Sequence, residues 1–138
     1  MLSSCKSYSG WALLVARLTL AAVFIYHGQQ KWAFFAGVPA DMPSWLGITF
    51  QILAVLEPLA GVALLIGLWT EIAALLTSVI MVGAILLKLT MFKVPFAGSQ
   101  GTGWEFDLAL LAVSLLVMTM GAGVLSVDGS MSTPKKKK

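Results

Sequence analysis

Four long apolar stretches govern everything this chain of 138 residues can become. They run over about residues 11–30, 48–69, 71–92 and 105–125, each near the roughly 20 residues needed to cross a hydrocarbon core. Inside a bilayer only a helix or a closed barrel satisfies its backbone hydrogen bonds. The stretches are continuously apolar instead of alternating, which excludes barrel strands. The expectation is therefore an all-α fold, an integral membrane four-helix transmembrane bundle occupying residues 1–128 as a single domain. Composition agrees: 59% of residues are hydrophobic and 11% charged, against about 45–50% and 25% in soluble domains. A chain this short cannot hide that surplus in one core, so lipid must act as solvent.

The joints suit this plan. Gly67-Leu68-Trp69-Thr70-Glu71 reads as a tight turn making an antiparallel hairpin of the second and third helices, with Thr70 as a candidate cap. Residues 33–47 carry Gly37, Pro39, Pro43 and Gly47 beside Phe34, Phe35 and Trp45, and read as an interfacial segment. Residues 95–103 have the glycine and proline content of a loop. Trp11, Trp32, Trp45, Trp69 and Trp104 fall near helix ends, where interfacial anchors belong. Residues 129–138 form a polar tail ending in Lys135 to Lys138, expected to be disordered.

The formal net charge is +3, and without the tail the chain is close to neutral, so no basic face suits nucleic acid. An even number of crossings puts both termini on one side, and the lysine count near that side favours the cytoplasm. The expected location is the cell membrane, multi-pass. The single cysteine, Cys5, excludes an internal disulfide and a Cys-x-x-Cys redox pair, and leaves palmitoylation as a weak option.

Ionisable residues within membrane segments are the informative ones, because a charge at mid-bilayer costs about 2.5–3.5 kcal/mol on insertion scales. Glu57 lies in the middle of the second helix. Pro58 follows it, removes a backbone donor and frees the carbonyl of Ala54. Gly61, one turn on, leaves room for a neighbouring helix or a ligand. Antiparallel packing sets Arg17 about 7–8 Å of helix rise from Glu57, so an Arg17–Glu57 pair is the economical expectation. That pair either fixes helix register or lines a polar pocket. His27 and Lys31 share a face at the far end of the first helix. With one histidine in the chain, bis-histidine haem ligation is excluded and no metal site is expected. Glu105 and Asp107 open the fourth helix, either complementing its dipole or pairing with Lys31 or Lys88. Trp104 is an anchor first and a stacking surface second. No nucleophile elbow, phosphate loop or dinucleotide fingerprint occurs.

Taken in order, Ala16-Arg17-Leu18, Tyr26-His27-Gly28 with Lys31, Glu57-Pro58-Leu59-Ala60-Gly61, Leu64 to Thr70, Gly103-Trp104-Glu105-Phe106, and Leu125-Ser126-Val127-Asp128 make the chain resemble the DoxX family of small four-helix membrane proteins. The likeness runs along nearly the whole chain. It implies a membrane subunit of quinone-linked thiosulfate or thiol oxidation, with Arg17, His27, Lys31, Glu57 and Glu105 as the polar positions carried over. Two departures stand out: Glu71 where members commonly have a basic residue, and Asp107 as an extra acid. On this reading Glu57 and His27 handle protons, while Arg17, Lys31, Glu57, Trp104 and Glu105 bind a quinone. No covalently held cofactor is implied, and electrons must come from other subunits or a soluble donor. The competing reading is a non-catalytic scaffold, chaperone or small-molecule or lipid-binding protein, in which Glu57, Pro58 and Gly61 form a packing notch. Either reading allows other protein subunits or a homo-oligomer as partners.

Overall fold

The structure is a computed structural model, and it describes residues 8–98 and 101–132. Those residues form helices joined by loops and turns and contain no strand. The order is α1 (Ser9–Gln30), α2 (Ala33–Ala36), α3 (Ser44–Ile66), α4 (Thr70–Thr90), α5 (Trp104–Met120) and α6 (Val127–Ser132). Among the described residues three spans are long and apolar enough to cross a membrane: α1 continued by α2 (Ser9–Ala36), α3 and α4. α5 is shorter, 17 residues, or about 25 Å of helix. Large apolar side chains cover the outer surface, among them Val15, Leu59, Ile72, Val79 and Leu86. In water such a surface would aggregate; in lipid it is the ordinary exterior of a membrane protein.

The four long helices pack as two close pairs, α1 with α3 and α4 with α5, and the pairs meet each other less extensively. Small residues set the first pair. A β-carbon on Gly28 would collide with the Pro58 ring, and one on Gly61 would meet Ile25 Cγ1 at 2.7 Å and the Ala21 carbonyl at 3.0 Å. The room beside Gly61 is thus taken by a neighbouring helix, as small residues allow in membranes. The second pair is joined by hydroxyls: Thr77 donates to Ser114 at 3.0 Å inside the bundle. The common core between the pairs includes Leu20, Phe24, Leu64, Ala74, Leu110 and Val117.

Several boundaries differ from the sequence expectation. The fourth long helix ends at Met120 instead of reaching 125, because Gly121 takes a positive φ of 84°. The segment after α1, read from sequence as interfacial, is held against α3. It runs back along α3, with Trp32 donating to the Ala54 carbonyl at 2.9 Å and Gln51 donating to the Phe34 carbonyl at 2.9 Å. The carbonyl that Pro58 frees is therefore occupied by an indole N–H, as an irregular backbone in a bilayer requires. Trp32 closes a helix defect in addition to any anchoring.

At the opposite end the start of α1 and the segment leading into α6 converge on the α3–α4 turn. Gly67 closes α3 in the left-handed region at φ 70°. Trp69, not a glycine, follows at φ 48°, and Leu125 also has φ 51°. Asp128 holds this geometry. Its carboxylate accepts the N–H groups of Trp69 at 2.9 Å and Thr70 at 2.8 Å, while its own N–H donates to the Gly67 carbonyl at 2.9 Å. The cap of α4 is thus Asp128, fifty-eight residues away from Thr70, and not Thr70 itself. α6 takes in residues 129–132, which the sequence assigned to a disordered tail. The expectations for Cys5 and for the lysines at 135–138 lie outside the described residues.

Candidate functional site

The chemistry-bearing residues of α1 and α3 come together through the register that Gly28 and Pro58 impose. Because Gly28 seats against Pro58, the break between α1 and α2 falls at the level of mid-α3. Lys31 stands in that break. Its Nζ reaches Glu57 Oε2 at 2.6 Å and also donates to the His27 carbonyl at 3.3 Å. Glu57 is buried, with 3% of its side chain exposed, and Lys31 is mostly covered. A lysine that the sequence places at an interface is, in three dimensions, the counter-ion of the deepest carboxylate.

The expected Arg17–Glu57 pair does not form. Arg17 is fully buried toward the other end of the bundle, where Nη2 donates to the Leu125 carbonyl at 2.8 Å. Its guanidinium packs against Gly67, at a spot where any β-carbon would overlap it. The charge of Asp128 reaches it there. Helix contact is fixed by glycine and proline surfaces and not by helix rise alone, and those surfaces bring Lys31 closer to Glu57 than Arg17. Arg17 is accordingly part of the turn assembly and stands apart from the Glu57 group.

Asp128, outside the long helices, titrates below the ordinary carboxylate value. Burial alone pushes it up; hydrogen bonds from Thr70 and Trp69, helped by the Arg17 charge, outweigh that.

A second ion pair mirrors the first. Lys88, in the last turn of α4, lies 2.7 Å from Asp107 Oδ2 and donates to the Gly103 carbonyl at 3.2 Å. Of the two partners the sequence allowed for Asp107, Lys88 is the one present. Its neighbour Glu105 points elsewhere: Oε2 is buried with no hydrogen-bond partner among the described residues, and the backbone N–H bonds the Phe96 carbonyl at 3.1 Å. Trp104 is half-buried with its ring edge-on to Phe96 at 4.6 Å. Neither Trp104 nor Glu105 lines the central cavity, so the structure does not bring them to Glu57.

That cavity, about 530 Å³, lies between the two helix pairs on the Lys31–Lys88 side. Its volume falls in the range of small-molecule sites, about 300–1,000 Å³. The walls are apolar, with Phe24, Leu53, Leu76, Ile80 and Leu110 among them. The polar lining consists of His27, Lys31, Glu57, Lys88, Asp107 and two threonines, Thr49 and Thr102. His27 is half-buried, its ring 6.1 Å from that of Phe106 and 5.7 Å from that of Tyr26. Lys31, Asp107 and Lys88 all lie within electrostatic reach of it. The two ion pairs leave His27 and Thr102 as the polar side chains of the cavity with neither a salt bridge nor a side-chain hydrogen bond among the described residues. Sequence reasoning named His27, Lys31 and Glu57 as site residues; it raised Lys88 and Asp107 only through a pairing of Glu105 and Asp107 with Lys31 or Lys88, because the cavity they share depends on how the helix pairs meet.

Such an arrangement would offer a lipid-soluble molecule with a polar head two carboxylates, an imidazole and two ammonium groups. The chain is 30% identical over 139 residues to a protein of Bacillus subtilis (strain 168) named "Putative oxidoreductase CatD", an alignment covering 95% of this chain and 94% of that one. No solved structure matches significantly. The family profile for DoxX matches residues 12–92, the stretch that holds Arg17, His27, Lys31, Glu57 and Lys88. With that match covering more than half of its length, the chain belongs to the DoxX family.

Proposed function

We propose that this chain is the membrane subunit of a quinone-linked oxidoreductase system, with all four long helices crossing the membrane and a quinone headgroup bound in the central cavity. The observation that supports it is the cavity of about 530 Å³, apolar on its walls and polar where His27, Lys31–Glu57 and Lys88–Asp107 meet. Quinones partition into lipid, carry two hydrogen-bond-accepting carbonyls, and take up two electrons and two protons on reduction. His27 and Lys31 are donors suited to the carbonyls, and Glu57 with His27 suits proton delivery from within the bundle. The sequence supplies no electron carrier, so the two electrons come from a partner subunit or a soluble donor, with thiosulfate or a thiol as the donor class. The oxidoreductase name of the Bacillus relative supports the same class of activity. α5 crosses with its flanking loop residues by local thinning of the bilayer. Both termini then face the cytoplasm, in keeping with Lys6 and the terminal lysines.

A second reading is favoured by one observation. Gly28, Pro58 and Gly61 are filled by helix contact, which is what a packing notch in a non-catalytic scaffold requires. Native mass spectrometry of the protein gently extracted from its own membranes separates the two. A stoichiometric quinone, lost in Glu57→Gln, is expected on the redox reading. An empty cavity beside a reproducible protein partner would replace that reading with the scaffold.

A further inference from the structure

Five glycines lie inside the long helices: Gly10, Gly28, Gly47, Gly61 and Gly83. Four have a steric reason. A β-carbon would meet Val124 at Gly10, Pro58 at Gly28, Val38 at Gly47 and Ile25 at Gly61, all under 3.0 Å. Gly83 has none, for nothing among the described residues lies within 4 Å of its missing β-carbon. Glycine inside a helix is less favourable than alanine, so an unpacked one needs another explanation.

Its position supplies one. Leu76, Ile80, Gly83 and Leu87 follow helical spacing along α4, and all four line the central cavity. Across from them stand Phe50 and Leu53 of α3. At this level the α3–α4 hairpin is far from its turn, and no hydrogen bond or ring contact joins its arms among the described residues. The opposite side of the cavity, between α1 and α5, is narrowed by the His27 and Phe106 rings. Val79, also in the lining, is 61% exposed on the outer surface. The cavity therefore reaches the lipid between α3 and α4.

We infer that Gly83 is a specificity-determining position: its missing side chain keeps open a passage between α3 and α4 through which the apolar tail of the bound quinone runs out into the bilayer. This rests on the quinone reading above. A cavity of about 530 Å³ holds a headgroup and the first part of a tail; a long isoprenoid tail has to continue into lipid. The headgroup lies toward His27 and Lys31, away from Gly83, so tail and head are sensed by different residues.

The test uses the full chain in lipid nanodiscs and two matched probe pairs: a dimethoxybenzoquinone with and without a decyl tail, and a naphthoquinone with and without a short isoprenoid tail. Wild type, Gly83→Ala and Gly83→Leu are compared for binding and for thermal midpoint. Gly83→Leu is expected to weaken the tailed member by roughly tenfold or more, a steric block of the size that pocket substitutions produce. The tailless member should bind as in wild type. Gly83→Ala should melt at or above the wild-type midpoint, which shows that the glycine serves something other than packing. Equal binding of the tailed probe by Gly83→Leu overturns the passage, as does equal loss of tailed and tailless probes in a variant that melts normally. Failure of wild type to bind any of the four removes the quinone reading itself, and the passage with it.

Discussion

At the scale of single residues, the Lys31–Glu57 pair decides whether a carboxylate can exist in the middle of α3. Two charges 2.6 Å apart and mostly shielded from solvent are a poor source of net stability, because desolvation offsets much of their attraction. Breaking such a pair is different, since it strands one charge in a medium that cannot solvate it, at about 3–5 kcal/mol. Lys31→Met is expected to destabilise the protein by that order in a detergent-solubilised unfolding assay. Lys31→Met with Glu57→Leu should recover most of the loss, because nothing charged is left unpaired. The corresponding Arg17→Leu with Glu57→Leu combination should show no such recovery, since Arg17 bonds the Leu125 carbonyl instead. A rescue by the Arg17 combination, and none by the Lys31 one, would refute the assignment of partners.

At the scale of elements, α3 carries a proline in its interior and still runs unbroken from Ser44 to Ile66. The sequence makes the defect plain: Pro58 cannot donate to the Ala54 carbonyl. What fills it, the Trp32 indole N–H at 2.9 Å, was not visible there, because Trp32 also fits an interfacial anchor equally well. Trp32→Phe keeps the ring and removes the donor, and an unpaired carbonyl of this kind is expected to lose about 1–3 kcal/mol. In a Pro58→Ala background residue 58 regains its N–H, so the same Trp32→Phe change should cost markedly less. Additive losses in that double-mutant cycle would mean that Trp32 acts through its ring alone. The contrast marks where sequence reasoning holds and where it stops. The long helices, the depth of Glu57 and the tight turn at Gly67 follow from local chemistry. Partners such as Lys31 for Glu57, or Lys88 for Asp107, depend on register, which Gly28 and Pro58 set through contacts between segments distant in the chain.

At the scale of the whole molecule, the far end of the bundle is closed by the C-terminal segment. Asp128 caps α4, bonds the α3–α4 turn through its own N–H, and lies in the field of Arg17. Val124 donates to the Gly10 carbonyl at 3.3 Å and Arg17 to Leu125, so the first helix is tied to the same segment. Left-handed backbone at Trp69 and Leu125 is tolerated because these bonds hold it. The carboxylate performs this only when ionised. Its pKa is lowered in the folded protein, so its contribution is fully present above the unfolded-state value of about 3.9 and is lost as pH falls from there through the lowered folded value. Asp128→Asn keeps one acceptor and turns an NH2 group toward the other backbone N–H, so it is expected to lower stability at pH 7 by about 1–3 kcal/mol, the size of one lost hydrogen bond to a charged group. It should also flatten the fall in thermal midpoint between about pH 4 and more acid conditions, where the unfolded carboxyl takes up its proton before the folded one. Thermal melts across that window, for wild type and Asp128→Asn in the same detergent, measure both effects. Parallel curves would show that the acid sensitivity arises at other carboxylates, and that the C-terminal segment closes the bundle by packing instead of by charge.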